Sequence, residues 1–352
     1  MKIGRESSGL RRHSFTSTAL SLFGTLLLTG ASCTSTDIVS EPDSDLSGEG
    51  TDCIVINVGA SDIFGLSGGG TRADSDHALR YVAKLYSENS SGNVGVSENC
   101  FVAAVEQLSS DGSTIVFTGA KTGKKYMVTI FADYIDAGAR RDSNGHYPDK
   151  YYTTTSHADE ITYRETWDFF NNDNRDCFAL KSEVFTKDAL VYEESLTLKR
   201  VVSKVRVVSK DDNMASLKDI TITDYCYAPT YSFEQRGTAS YRAKSEAQTV
   251  VPSDPSLNEL FYFYVFGLSP NFNDPRLGLL PVTFTLNSND NYTFTNPTVT
   301  IGENSNPVVR PQANNIYTIR GSFLSTSLAP SDEIRLYISE ESDWAGNSER
   351  DI

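Results

Sequence analysis

Apolar and polar residues alternate along most of this 352-residue chain. Turn-forming clusters interrupt the alternation about every eight to fifteen residues. "CIVINVG" (53–59) is short and β-branched. "ALRYVAKLYS" (78–87) sets Leu79, Tyr81, Ala83 and Leu85 on one face. "NCFVAAVEQL", "STIVFTG" and "KKYMVTIFADYI" (124–135) follow. A long irregular stretch, 136–177, is rich in Tyr, Asn, Asp and Thr. "ESLTLKRVVSKVRVVSK" (194–210) resumes the alternation through Leu196, Leu198, Val201, Val205 and Val207. "SLKDITITDY", "NELFYFYVFGL", "LPVTFTL", "NYTFTN", "NNIYTIRGSFL" and "EIRLYIS" complete the series. Strands at this spacing, without long 3.6-period stretches between them, predict an all-β, antiparallel sandwich architecture and not βαβ units. "FYFYVFG" (261–267) is apolar on both alternations, which predicts a central strand covered on both faces. "TWDFFNN" (166–172) is the one stretch that reads as a short helix.

The strands fall into two similar sets. The expected organisation is an N-terminal domain over 53–195, a C-terminal domain over 196–327, and a final strand and tail over 328–352. In the last strand Ile334, Leu336 and Ile338 face one way and Arg335, Tyr337 and Ser339 the other. That pattern needs one buried face. The strand can cover an edge of its own domain or leave to fill a neighbour's groove.

Residues 1–32 read as a secretory signal. Lys2, Arg5, Arg11 and Arg12 make a basic start, and Ala19–Leu28 is an apolar run too short for a stable membrane span. Thr29-Gly30-Ala31-Ser32 before Cys33 resembles a bacterial lipobox, with Gly30 where Leu is usual. Cys33 would then carry the lipid that holds the protein to the outer membrane. "TSTDIVSEPDSDLSGEGTD" (34–52) has almost no apolar content, and 33–52 reads as a disordered acidic tether. Removing 1–32 takes away four basic residues and one acid, so the formal net charge moves from −15 to −18. So acidic a body argues against nucleic acid and against anionic membrane surfaces.

Enzymatic signatures are weak. Gly65-Leu66-Ser67-Gly68-Gly69 fits G-x-S-x-G, but a nucleophile elbow needs a helix after the serine. Here Gly70 and then a strand follow, so Ser67 reads as a turn residue. Only His77, His146 and His157 remain as general bases beyond the signal. The pairs Asp211-Asp212, Glu193-Glu194 and Glu340-Glu341 sit at turns or strand ends, where adjacent residues point apart. "NNDNRD" (171–176) lacks the glycine and distal glutamate of an EF-hand. There is no P-loop, H-E-x-x-H or G-x-G-x-x-G. Catalysis, cofactors and metals are therefore not expected. Cys53, Cys100, Cys177 and Cys226 remain after Cys33, none in a C-x-x-C pair. In an exported chain they can pair in three ways or stay as buried thiols.

Several stretches in order carry a resemblance. A lipobox, an acidic spacer, a first strand, the tripeptide Thr71-Arg72-Ala73 and "YVAKLYS" come first. Then follow "YMVTIFADYIDAG", "YYTTTS", "NDNRDCFAL", "LTLKRVVSKVRV" and "NNIYTIRGSFLS". Together, over about 50–325, they resemble the fimbrillin-like surface lipoproteins of Bacteroidales, within the type V pilin superfamily. The resemblance implies two tandem transthyretin-like β-sandwich domains and no catalysis. It also implies a role for Arg72. In pilin members a protease cuts after a basic residue in the loop following the first strand, and a strand from the next subunit fills the groove. Arg72 and Ala73 stand at that position, among glycines that would give a protease extended backbone. The expected function is a structural or adhesive surface subunit assembling with like subunits by strand exchange. The alternative is a monomeric surface lipoprotein that holds a host or glycan ligand on the tyrosine-rich loop 147–167.

Overall fold

The computed structural model describes residues 52–59, 76–109, 113–154, 159–165, 168–272, 278, 281–289, 292–302, 309–326 and 336–341, and the backbone of 350–351. These residues form strands and short 3-10 turns, with no α-helix among them. The first half carries β1 (Cys53–Gly59), β2 (His77–Ser87), β3 (Phe101–Leu108), β4 (Ser113–Thr118), β5 (Lys125–Asp136), β6 (Tyr152–Thr153), β7 (Glu160–Tyr163), β8 (Cys177–Lys181), β9 (Phe185–Thr186), β10 (Val191–Thr197) and β11 (Lys199–Arg200). The second half carries β12 (Val202–Ser209), β13 (Leu217–Tyr227), β14 (Thr230–Ser232), β15 (Arg242–Lys244), β16 (Gln248–Val250), β17 (Glu259–Phe266), β18 (Val282–Ser288), β19 (Thr298–Ile301), β20 (Ile316–Gly321), β21 (Tyr337–Glu341) and β22 (Arg350–Asp351).

Two sandwiches result. In the first, the sheet β10-β1-β4 faces the sheet β11-β8-β5-β2-β3, with β9 added to β5. Alternation puts Ile54, Ile56 and Val58 of β1 against Leu79, Tyr81, Ala83 and Leu85 of β2 and against Val128 and Ile130 of β5. In the second, β17-β12-β20-β21-β22 faces β15-β13-β18-β19, with β16 also on β13. Val205, Val207, Phe261, Phe263, Ile220, Ile222 and Phe284 fill that core. Each sandwich contains one parallel pair, β1 with β10 and β12 with β20. In each, the first strand of the unit also pairs antiparallel with a third strand, β4 or β17. The two halves are therefore variants of one plan.

A third core joins them. Tyr86, Phe131, Tyr151, Tyr152 and Cys177 of the first half pack with Tyr231, Phe233, Tyr262, Tyr264 and Phe266 of the second. The small sheet β14-β7-β6 crosses the same junction. Three expectations change here. β10 and β11 run on to Arg200 within the first sandwich, so the second opens at β12 and not at 196. β17 is buried on both faces as expected, but it ends its sheet's strand order and is not central. Its outer edge is closed by a bridge from Phe170 and by Asn171, whose backbone N–H donates to the Tyr262 carbonyl at 2.9 Å. That pairing is also why the described part of 166–172 is not helical. Phe169 and Phe170 are drawn into the second core, Phe170 through its bridge to β17, and the 3-10 turn Asp173–Arg175 follows.

The second face of β2 is buried too, and it is charged. Arg80 and Asp133 are paired across β2 and β5, both fully buried, with Nε and Nη2 donating at 2.9 and 2.8 Å. Arg80 Nη1 also donates to Asp149 at 3.0 Å and to the Tyr147 carbonyl. Lys84 donates to the Thr154 carbonyl at 2.7 Å, and burial pulls its pKa down to about 8. Burial also pulls on Arg80, but Asp133 and Asp149 outweigh it and hold the guanidinium charged. These bonds pin 147–154 onto the sheet, so Tyr151 and Tyr152 enter the junction core. Removing one partner of a buried pair strands the other charge. Arg80→Met is expected to lower the unfolding free energy by about 3–5 kcal/mol, read by guanidinium denaturation. The double change Arg80→Met with Asp133→Leu should cost less than the single change, because it no longer leaves the fully buried Asp133 carboxylate unpaired.

Candidate functional site

The site that the fold singles out is the slot occupied by β1. β1 is the middle strand of three, bonded to β10 along Cys53–Gly59 and to β4 along Cys53–Val58. Its inward residues Ile54, Ile56 and Val58 are buried, each contributing about 1.5–3 kcal/mol of transfer free energy. Its outward Asn57 donates to Glu193 at 2.6 Å and accepts from Thr114 at 3.0 Å. Chain connection to the rest of the sandwich runs only through 60–75, between β1 and β2.

The start of β1 is held by a buried cation. Lys187, fully buried, follows β9 directly. Its ammonium donates to Asp52 Oδ1 at 2.8 Å, Thr122 Oγ1 at 3.1 Å, and the carbonyls of Ala189 and Leu190 at 2.6 and 2.9 Å. Asp52 is one-third exposed and also accepts from Thr122 Oγ1 at 3.0 Å. The Lys187 bond, opposed by partial burial and helped by Thr122, holds the Asp52 carboxyl below its ordinary value of 3.8. Backbone bonds continue the grip: Cys53 N–H donates to Leu190 and Gly119 N–H to Asp52. Asp52, the last residue of the acidic tether, is thus part of the fold. Sequence reasoning missed Lys187. A single lysine in "FTKDALVY" carries no signal that it will be buried, and only the meeting of β9, β10 and β1 makes it so.

The other expected residues divide by position. Cys33, Ser67, Arg72, Ala73, His157 and Ile334 lie outside the described residues. Leu336 and Ile338 are half-buried against the second core, and β21 pairs antiparallel with β20, Ile338 opposite Ile319. In this chain, then, β21 lies within its own domain's sheet, between β20 and β22. Of the tyrosine-rich stretch, Tyr151 and Tyr152 are buried in the junction core, whereas Tyr147 and Tyr163 are half-buried. His146 Nδ1 lies 2.8 Å from Glu106 and His77 Nε2 lies 2.7 Å from Lys150 and 3.2 Å from the Tyr151 hydroxyl, so the two histidines belong to separate clusters. In "NNDNRD" the acids are spent on cations. Asp173 meets Lys204 at 3.2 Å and Asp176 meets Arg200 at 2.9 Å. No group of potential metal ligands occurs among the described residues.

Cys53, Cys100, Cys177 and Cys226 are buried thiols and form no disulfide, so none ties β1 to the body. Burial pushes the Cys177 thiol well above its ordinary pKa. All four thiols are expected to resist alkylation in the folded protein and to react together on unfolding, read by intact mass. For Asp52 the sign is fixed by its lowered folded pKa. The stability it lends is complete above the unfolded value and is lost as pH falls through the lower, folded one. The difference in melting temperature between the parent and Asp52→Asn should therefore be present at neutral pH and vanish under strongly acidic conditions.

No curated protein matches the sequence. Among solved structures the chain is similar to a candidate cell adhesion protein from Bacteroides ovatus, at 12% identity and a TM-score of 0.44, over 84% of this chain and 98% of that one. It is also similar to the tip fimbrial protein Mfa3 from Porphyromonas gingivalis with a C-terminal truncation, at 15% identity and 0.40, over 84% and 100%. The fimbrial anchor protein Mfa2 from the same organism matches at 11% and 0.37, over 83% and 96%. A family match spans residues 61–348, most of the chain, and the protein therefore belongs to the family of unknown function DUF6562.

Proposed function

We propose that the chain is a non-enzymatic, fimbrillin-like subunit of the cell surface, tethered through a lipid on Cys33, whose β1 is exchanged for a strand of a like subunit. The observation that carries this reading is the state of β1. It is a fully built middle strand with a single chain connection and no disulfide. A cut between Arg72 and Ala73 would leave it held by non-covalent bonds alone. An emptied slot would expose the faces of Leu79, Tyr81 and Ile115 and two strand edges, so it must be refilled. The last strand, with Ile334, Leu336 and Ile338, has the alternation the slot requires, and strand addition gives affinity through main-chain bonds and register through alternate side chains. The strongly negative body is consistent with protein partners and not with nucleic acid.

Cell-derived protein run without boiling is expected to give a ladder, and Arg72→Ala should collapse it to one band. Truncation after Ser327 should also remove the ladder. It should lower the melting temperature as well, because β21 and the contacts of Leu336 and Ile338 leave β20 bare. A single band from the unaltered protein would end the exchange reading. Cys33→Ala should release the protein from the membrane fraction or leave an uncut precursor.

A further inference from the structure

Two aspartates in the whole sequence are followed by Ile, Leu or Val at the second, fourth and sixth positions: Asp52 and Asp332. Asp52 leads into Ile54, Ile56 and Val58. Asp332 leads into Ile334, Leu336 and Ile338. The first of these stretches is the one seated in the β1 slot, and its aspartate is the one gripped by Lys187.

We propose that Lys187 is the register-setting residue of the β1 slot, selecting strands that carry an acid two places before their first buried aliphatic residue, and that Asp332 of a second copy is its partner after exchange. The inference rests on the strand-exchange reading above. Its physical basis is the cost of leaving a buried ammonium without a neutralising carboxylate. Thr122 and two carbonyls solvate the Lys187 charge, but Asp52 alone neutralises it. When β1 leaves, the charge stays, fixed at one end of a slot whose side-chain period is two. A one-residue slip would turn the aliphatic face outward, and a two-residue slip would keep that face inward but remove the acid from Lys187. The aliphatic pattern alone cannot reject the two-residue slip, whereas the lysine can.

The rest of the echo fits the neighbours. Val55 stands opposite Glu193 of β10, and Arg335 occupies the matching place in the C-terminal stretch, so seating it brings opposite charges together. Asn57, outward between Glu193 and Thr114, corresponds to Tyr337. The echo departs at the buried Cys53, where the C-terminal stretch has Glu333.

The test is a double-mutant cycle on cell-derived protein cut between Arg72 and Ala73, read as the rate of ladder formation on unboiled gels. The variants are Asp332→Asn, Lys187→Met and the two combined. Circular dichroism and melting of each variant separate misfolding from failed assembly. Asp332→Asn leaves the residues of the slot unchanged. Loss of a charge-assisted hydrogen bond is worth about tenfold or more. Asp332→Asn is therefore expected to slow assembly by about that factor when Lys187 is present and to change nothing when Lys187 is Met. Asp332→Glu should recover part of the rate. Assembly of Asp332→Asn at the parent rate, or equal slowing in both backgrounds, would overturn the role of Lys187 while leaving strand exchange intact. Absence of a ladder from the parent protein would overturn exchange itself, and this inference with it.

Discussion

The middle strand of a three-stranded sheet cannot leave without stripping two neighbours of their partners, and the first sandwich is built on such a strand. β1 supplies hydrogen bonds to β10 on one side and β4 on the other, and a row of aliphatic side chains to the sheet below. Without it β10 and β4 are separate ribbons over an open apolar face. The slot is thus a shape that persists only while some strand of the right pattern occupies it. Lys187 adds a condition that hydrophobic alternation does not impose, a negative charge at one end.

The two sandwiches are held as one block by different chemistry. At their junction Arg175 lies between the rings of Tyr151 and Tyr163, 4.9 Å from each, and its Nη2 pairs with Asp168 at 3.1 Å. Tyr152 packs on Phe131, Tyr163 and Phe266, drawing one ring from the first half, one from the crossing sheet and one from the second half. The tyrosine hydroxyls are spent inside the molecule: Tyr152 donates to the Arg175 carbonyl and Tyr264 to Asp173. Burial raises the pKa of both tyrosines well above the ordinary value. The charged anchors on β2 and β5 pull 147–154 inward, which takes the rings of Tyr151 and Tyr152 away from solvent.

Much of this was legible in the sequence, for identifiable reasons. Alternation with period two revealed the strands, because each has one face in a core, and Ile54, Leu79, Val205 and Phe284 all face as their spacing says. The burial of both faces of 261–266 was legible because both alternations are apolar. Its edge position was not, because strand neighbours are set by residues ninety places away, Phe170 and Asn171. "TWDFFNN" lacks a strand signature, yet its phenylalanines are worth more in the second core than in a local helical turn. The buried charges were least legible. Arg80, Lys84 and Lys187 look like solvated residues in any window of sequence, and only distant carboxylates and carbonyls make their burial tolerable.

The parallel plan of the two sandwiches sharpens the role of the last strand. β20 in the second sandwich stands where β10 stands in the first, each parallel to the opening strand of its unit. The free side of β20 is covered by β21, through five paired residues from Ile316 to Arg320. A chain that lends this strand to another copy gives up those five pairs and bares its β20 edge. The receiving slot offers pairing on two sides, over the seven positions that β1 now makes with β10 and the six it makes with β4. The strand would trade five pairs with β20 and two with β22 for seven and six, and half-buried aliphatic side chains for fully buried ones. Exchange would therefore run downhill only into an empty slot. While β1 is seated there is nothing to gain, and the strand rests on its own edge. Under the proposed exchange this asymmetry sets the order of events: removal of β1 would come first, and its covalent release would be the step at which assembly is controlled.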